Sequence, residues 1–274
     1  MFFQQSKNLL LVVVLIAVAS CSGYEKLLKS NDYKLKYKKA FEYYNDEDFV
    51  KAQTLLEQLV PIYGGTKQAD SVNFFHAMCY YNMQDYLLAG HYFKTFASTF
   101  GNSEFAEEAE FLSAYCLFKN SPRPSLDQTS TYEAIQAFQM FLINYPITEK
   151  KELCLKYMTE LRDKLVEKSF ISARLYFDLS NYKASIIALN NSLNEYPDTK
   201  FREEIMFLIL KSRFLLADGS VESKKMERYQ AALDEYYSFV GEFPESEYKH
   251  EVEKIFNQTS NILKINNNDL TEVK

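Results

Sequence analysis

One spacing recurs five times along this chain: a small residue is followed twelve positions later by Gly or Pro, with an aromatic just before that Gly or Pro and Ser or Thr two residues after it. The copies are Ala52…Tyr63-Gly64-Gly65-Thr66, Ala89…Phe100-Gly101-Asn102-Ser103, Ala134…Tyr145-Pro146-Ile147-Thr148, Ser185…Tyr196-Pro197-Asp198-Thr199 and Ala232…Phe243-Pro244-Glu245-Ser246. Such periodicity restricts the fold to stacked copies of one small unit, because a single unit cannot bury its apolar face alone. The chain has the apolar content to fill such a stack, at 47% hydrophobic and 25% charged residues. With 21 Tyr and 22 Phe but only 7 Gly, it suits packed helices better than a β-sandwich with many tight turns.

The register identifies the unit. Ala40 stands twelve residues before Ala52, Ala77 twelve before Ala89, and Ala173 twelve before Ser185. Small residues at both positions let two helices approach closely. Gly or Pro then ends the second helix, and the following Ser or Thr is placed to act as N-cap of the next. Asp70, Glu107, Glu152 and Glu203 fall where the first turn of that helix favours negative charge. The pattern resembles tetratricopeptide repeats, which implies an all-α solenoid of five helix pairs. The repeats lie at about 33–65, 70–102, 107–147, 166–198 and 205–245, followed by a capping helix over 247–264 and a flexible tail over 265–274.

Repeats three and five depart from the rule together. Ala114 to Ala134 and Ser212 to Ala232 are each twenty apart, eight more than elsewhere, so both insertions fall between paired helices. The first, around Asn120-Ser121-Pro122-Arg123-Pro124-Ser125-Leu126-Asp127-Gln128-Thr129, is a loop by composition. The second passes through Asp218-Gly219-Ser220 into the charged stretch 222–228, which suits a prolonged helix. Insertions on a solenoid often bind partners, which marks Asp127, Gln128, Lys224, Lys225 and Arg228 as candidates; a tolerated surface extension is the other reading.

The first twenty residues stand outside the repeats. Lys7 precedes an apolar run from Leu9 to Ala19 that is too short to span a bilayer and suits a secretory signal. Val18-Ala19-Ser20-Cys21 resembles a bacterial lipobox, with Val18 where Leu is commoner. The resemblance implies cleavage before Cys21 and acylation of its thiol and new amino group, a palmitate-type anchor, with residues 21–31 as a tether; a plain signal peptide cut near Ala19 is the alternative. Ser22 rather than Asp resembles an outer-membrane sorting signal. Cys79, Cys116 and Cys154 remain, an odd number that suits buried structural thiols rather than a disulfide framework. Acidic residues exceed basic ones, 37 against 31, which argues against a nucleic-acid partner.

In tetratricopeptide repeats, first-helix positions 5, 9, 12 and 13 usually face the concave surface. Here they are Tyr37, Phe41, Tyr44 and Asn45 in repeat one and Phe74, Met78, Tyr81 and Asn82 in repeat two. Phe111 with Phe118 and Phe170 with Phe177 continue the stripe. Rings and amides in such a groove could hold an extended peptide. Equally, the rings could pack repeat against repeat.

A lipobox, five repeats, Tyr86-Leu87-Leu88-Ala89 with Phe93 and Phe96, and Leu126-Asp127-Gln128-Thr129 together resemble the BamD family of outer-membrane assembly lipoproteins. The segment Ala217 to Lys225 with Arg228 is similar to the version seen in Bacteroidota. The resemblance implies a lipid-anchored scaffold on the periplasmic face of the outer membrane. Its N-terminal groove would receive the C-terminal signal of unfolded outer-membrane barrels, and its C-terminal repeats would dock on the POTRA-type periplasmic domains of the insertase. It implies no catalysis and no cofactor beyond the covalent lipid on Cys21.

The residues themselves offer little for chemistry. His76, His91 and His250 are isolated, with no metal-ligand spacing, nucleophile elbow or phosphate loop nearby. Glu107-Glu108 and Glu203-Glu204 are acidic pairs in first helices where a paired-carboxylate glycosidase could in principle sit, and solvated helix starts account for them as well. Two non-enzymatic rivals stay open. They are a short glycan-binding lipoprotein of the SusD kind, disfavoured by the lack of Trp and long loops, and another envelope scaffold serving division or peptidoglycan.

Overall fold

A computed structural model describes residues 23–272, with side chains described as far as Lys264; the signal segment and Cys21 lie outside the described residues. Among these residues there are twelve helices and no strand. They are α1 (23–29), α2 (Tyr33–Asn45), α3 (Phe49–Tyr63), α4 (Ala69–Asn82), α5 (Tyr86–Thr99), α6 (Ala106–Asn120), α7 (Thr129–Asn144), α8 (Lys151–Asp178), α9 (Tyr182–Glu195), α10 (Arg202–Asp218), α11 (Glu222–Glu242) and α12 (Lys249–Glu272). Successive helices pack in pairs, as the repeat spacing requires.

The chain divides into two compact units. One runs to Pro122 and includes Thr129–Leu161; the other comprises Arg123–Gln128 and the residues from Arg162 onward. In the first, Ala40, Ala52, Ala77, Ala89, Ala114 and Ala134 are fully buried where paired helices touch. In the second, Ala173, Ser185 and Ala232 do the same. Replacing these small residues with larger ones would crowd the paired helices.

The turn inside each regular pair is built the same way three times. Glu47, Gln84 and Ser180 take left-handed backbone angles, φ 61, 62 and 56°. Around Glu47, the Asp48 N–H donates to the Tyr43 carbonyl and the Glu47 N–H to the Tyr44 carbonyl. Gln84 and Ser180 repeat this pattern, in which the left-handed residue ends one helix by satisfying its last carbonyls. The next residue then opens the following helix: Asp48, Asp85 and Asn181 accept from the N–H three residues on.

Links between repeats follow a second template. Thr66, Ser103, Thr148, Thr199 and Ser246 each accept a hydrogen bond from the N–H two residues on, at 3.0–3.3 Å. They were expected as N-caps. They instead close a tight turn ahead of the helices, which start about three residues later at Ala69, Ala106, Lys151, Arg202 and Lys249. Two of these hydroxyls also donate to a carboxylate of the preceding repeat: Ser103 to Asp70 at 3.0 Å and Thr148 to Glu107 at 2.6 Å. Each ties the start of one repeat to the first helix of the repeat before it.

Four elements differ from the sequence reading. The stretch 21–31 was expected as a tether, yet 23–29 is helical and Leu27 is buried against repeat one. Helix α8 begins at Lys151, well before residue 166, because Cys154, Leu161 and Leu165 form a buried face at helical spacing. Helix α12 continues through Glu272 rather than ending near 264. In repeat five Leu210, not Ser212, stands as far from the start of α10 as Ala77 does from the start of α4; both are buried, and Ser212 bonds Ser185 of α9 at 3.1 Å.

The two insertions take opposite forms. Pro122 and Pro124 leave 121–128 outside any helix. In repeat five, Glu222 to Arg228 are good helix formers, so the extra length becomes helix. There α10 and α11 span 17 and 21 residues, where α4 and α5 have 14 each. The added turns bury Tyr229 against Ala217 and Leu263.

Candidate functional site

The first-helix faces are where a partner was expected, and the structure divides the nominated residues into two sets. Phe74 belongs to the core. It is 6% exposed, stacks on Phe105 at 4.5 Å and 13°, and meets Phe93 and Phe96. Phe170 stacks on Phe201 at 4.5 Å and 14°, and Phe207 on Tyr248 at 4.2 Å and 8°. Phe111 is buried too, with the Lys150 ammonium 5.5 Å from its ring centre. In repeats two to five, position 5 of the first helix is therefore covered by the residue entering the next repeat and does not line a groove, whereas Tyr37 in repeat one stays half-buried against Phe41 and Tyr63.

Positions 9 and 12 remain half-buried and present ring edges. In repeats one and two, Phe41 and Tyr44 both pack on Phe75, at 5.1 and 4.9 Å, and Tyr37 packs on Phe41 at 4.8 Å. The Asn82 amide donates to the Tyr44 hydroxyl at 3.1 Å, which joins two nominated residues of neighbouring repeats; Asn45 is exposed. One repeat on, Tyr81 lies 6.2 Å from Tyr115, and Tyr157 lies 5.3 Å from Tyr115 and 4.5 Å from Phe118. Met78 packs half-buried beside them. Burial first, then the neighbouring phenols, pushes Tyr81 up to about 12, so its hydroxyl is a neutral hydrogen-bonding group at physiological pH.

The second unit places charge at position 9. Arg174 bonds Glu204 at 2.8 Å, and Lys211 pairs with Glu251 at 2.6 Å while lying 5.7 Å from the Phe177 ring centre and 5.5 Å from that of Phe207. At position 9, repeats one to three thus carry Phe41, Met78 and Tyr115, whereas repeats four and five carry Arg174 and Lys211, the latter resting on two rings.

A further groove of about 720 Å³ lies between α5, α6 and α7, lined by Leu87, Gly90, Lys94, Glu110, Ala137 and Met140. It was missed because it lies on helix faces that carry no repeat signature. Its signals were Gly90 beside the consensus Ala89 and the apolar residues Leu87 and Met140, 75% and 52% exposed. A Cβ at Gly90 would meet the Cys116 Cβ at 3.0 Å, so glycine permits the close approach of α5 to α6.

The chain matches the family model described as YfiO, outer membrane lipoprotein, over residues 29–219. The chain belongs to the YfiO family of outer membrane lipoproteins. This agrees with the BamD-type resemblance. No curated protein matches the chain. The YfiO match runs from the end of α1 through α10 and so includes both kinds of first-helix face. Among the described residues, no helix is long and apolar enough to cross a membrane.

Other nominated residues also have places within this YfiO chain. Gln128 is buried, and its amide donates to the Arg123 and Leu126 carbonyls, which holds the insertion loop in shape. Asp127 is exposed. Lys224 is exposed, Lys225 pairs with Glu222 at 3.2 Å, and Arg228 donates to the Ser220 hydroxyl at the turn before α11. All three lie beyond the matched span. Glu108 pairs with Lys150 at 2.9 Å, so Glu107, Glu108 and Glu204 all serve as ties between elements. Burial pushes Cys79 and Cys116 up to about 12 and Cys154 to about 11, which leaves them as inert thiols.

Proposed function

We propose that this protein is a non-catalytic scaffold of the outer-membrane β-barrel assembly machinery, of the Bacteroidota type, held by lipid on Cys21 to the periplasmic face of the membrane. Its first three repeats receive the C-terminal segment of an unfolded barrel. Its last two dock on POTRA-type domains of the insertase. It needs no cofactor beyond that lipid.

The observation that carries this reading is the change of first-helix chemistry within a chain of the YfiO family. Half-buried ring edges beside the Asn82 amide suit an extended peptide, whose side chains want apolar contact and whose backbone wants hydrogen bonds. Arg174 and Lys211, already paired with carboxylates, suit a folded domain that exchanges those partners for its own acids. Co-purification tests this: Arg174→Glu with Lys211→Glu is expected to lose the insertase while keeping the unfolded barrel. Full retention of the insertase would refute the docking assignment.

A further inference from the structure

Helix α1 is fastened to the first repeat. Leu27 is 9% exposed and packs with Tyr24 and Leu28 into the core formed by α2, α3 and α4. The Tyr24 hydroxyl donates to the Lys51 carbonyl at 3.3 Å. Lys36 Nζ donates to the Leu28 carbonyl at 2.9 Å and to Gln58 Oε1 at 2.7 Å. Lys36 is only 3% exposed, so a buried ammonium sits on the carbonyl end of α1, where a helix favours positive charge.

That fastening limits the distance to the anchor. Gly23 is described and Cys21 is two residues earlier, and two residues of chain reach no more than about 7 Å. The same end carries charge opposite to that of the whole. Between Gly23 and Ala40 six lysines stand against Glu25 and Asp32, in a chain of net charge −6. Lys26, Lys29, Lys34 and Lys38 are exposed. Lys29 and Lys38 make only long 3.8 Å ion pairs, with their side chains 82% and 75% exposed, and such pairs yield readily to another anion.

We infer that the exposed lysines of α1 and α2 form a membrane-facing surface that binds anionic phospholipid headgroups, so that the acyl anchor and this surface together orient the first repeat against the bilayer. The inference rests on the proposed lipid at Cys21. A basic cluster is drawn to an anionic leaflet within a Debye length, about 8 Å at physiological salt, and the short chain between Gly23 and Cys21 holds the start of α1 within that range.

The test uses the full acylated protein in phosphatidylcholine vesicles with and without phosphatidylglycerol, reading the rate of amine labelling at each lysine by mass spectrometry. With phosphatidylglycerol, Lys26, Lys29, Lys34 and Lys38 are expected to label about threefold more slowly or less, with normal rates restored by high salt, while Lys94 and Lys249 stay unchanged. The exposed double variant Lys26→Glu with Lys34→Glu should abolish the protection left at Lys29 and Lys38. Flotation with both vesicles but equal labelling rates would overturn the inference alone, as would protection that salt leaves intact. Failure to float with either would overturn the lipid anchor and the inference with it.

Discussion

Phe74 and Phe105 stack almost face to face, 4.5 Å between ring centres and 13° between planes, and they join the first helix of repeat two to the entry of repeat three. Phe170 with Phe201 and Phe207 with Tyr248 repeat the contact. Removing the outer ring uncovers a buried one. Phe105→Ala is therefore expected to cost about 2–3 kcal/mol, read as a lower urea midpoint. An unchanged midpoint would show that the stack does not hold the repeats together.

Gln84 occupies a left-handed turn at φ 62° with no side-chain hydrogen bond among those described. Left-handed geometry costs a residue with a Cβ about 1–2 kcal/mol, more than the chain entropy that glycine adds. Gln84→Gly should raise stability by about 0.5–1 kcal/mol, and Gln84→Val should lower it. Equal urea midpoints for the two variants would contradict this account of the turn.

His76 is 4% exposed between Tyr80 and Tyr92, and its Nε2 has no hydrogen-bond partner among the described residues. Burial holds its pKa below the ordinary 6.5, and Glu57 offsets this in part. The folded state stays neutral where the unfolded chain has already bound a proton. Stability is therefore complete above about pH 6.5 and falls as pH drops from there toward the lowered folded value. Between pH 7.5 and 5.5 the wild type should lose more stability than His76→Phe, measured by urea unfolding at each pH. Parallel losses would remove His76 as the cause.

The helix pairs were legible in the sequence because their signals are steric necessities: Ala where helices touch, Gly or Pro where they must stop. The left-handed turns were not, since Glu47, Gln84 and Ser180 share a backbone angle and no side-chain chemistry. The early start of α8 was hidden because Cys154, Leu161 and Leu165 follow ordinary helical spacing outside the repeat signature. Phe74 was ambiguous for a different reason. Whether a ring is core or groove depends on what covers it, and its cover, Phe105, enters one repeat later. Helix spacing did bring Tyr44 and Asn82 onto facing positions, although their hydrogen bond needed coordinates.

The central claim is that the aromatic face of the first three repeats holds a barrel's terminal peptide. Titrating a fluorescent peptide from the C-terminus of an outer-membrane barrel into the full-length protein, with anisotropy as readout, tests it most directly. Saturable binding is predicted, weakened about tenfold, or ~1.4 kcal/mol, by Tyr81→Leu or Asn82→Ala and unchanged by Arg174→Glu. Absence of saturable binding, or binding indifferent to both Tyr81→Leu and Asn82→Ala, would contradict it.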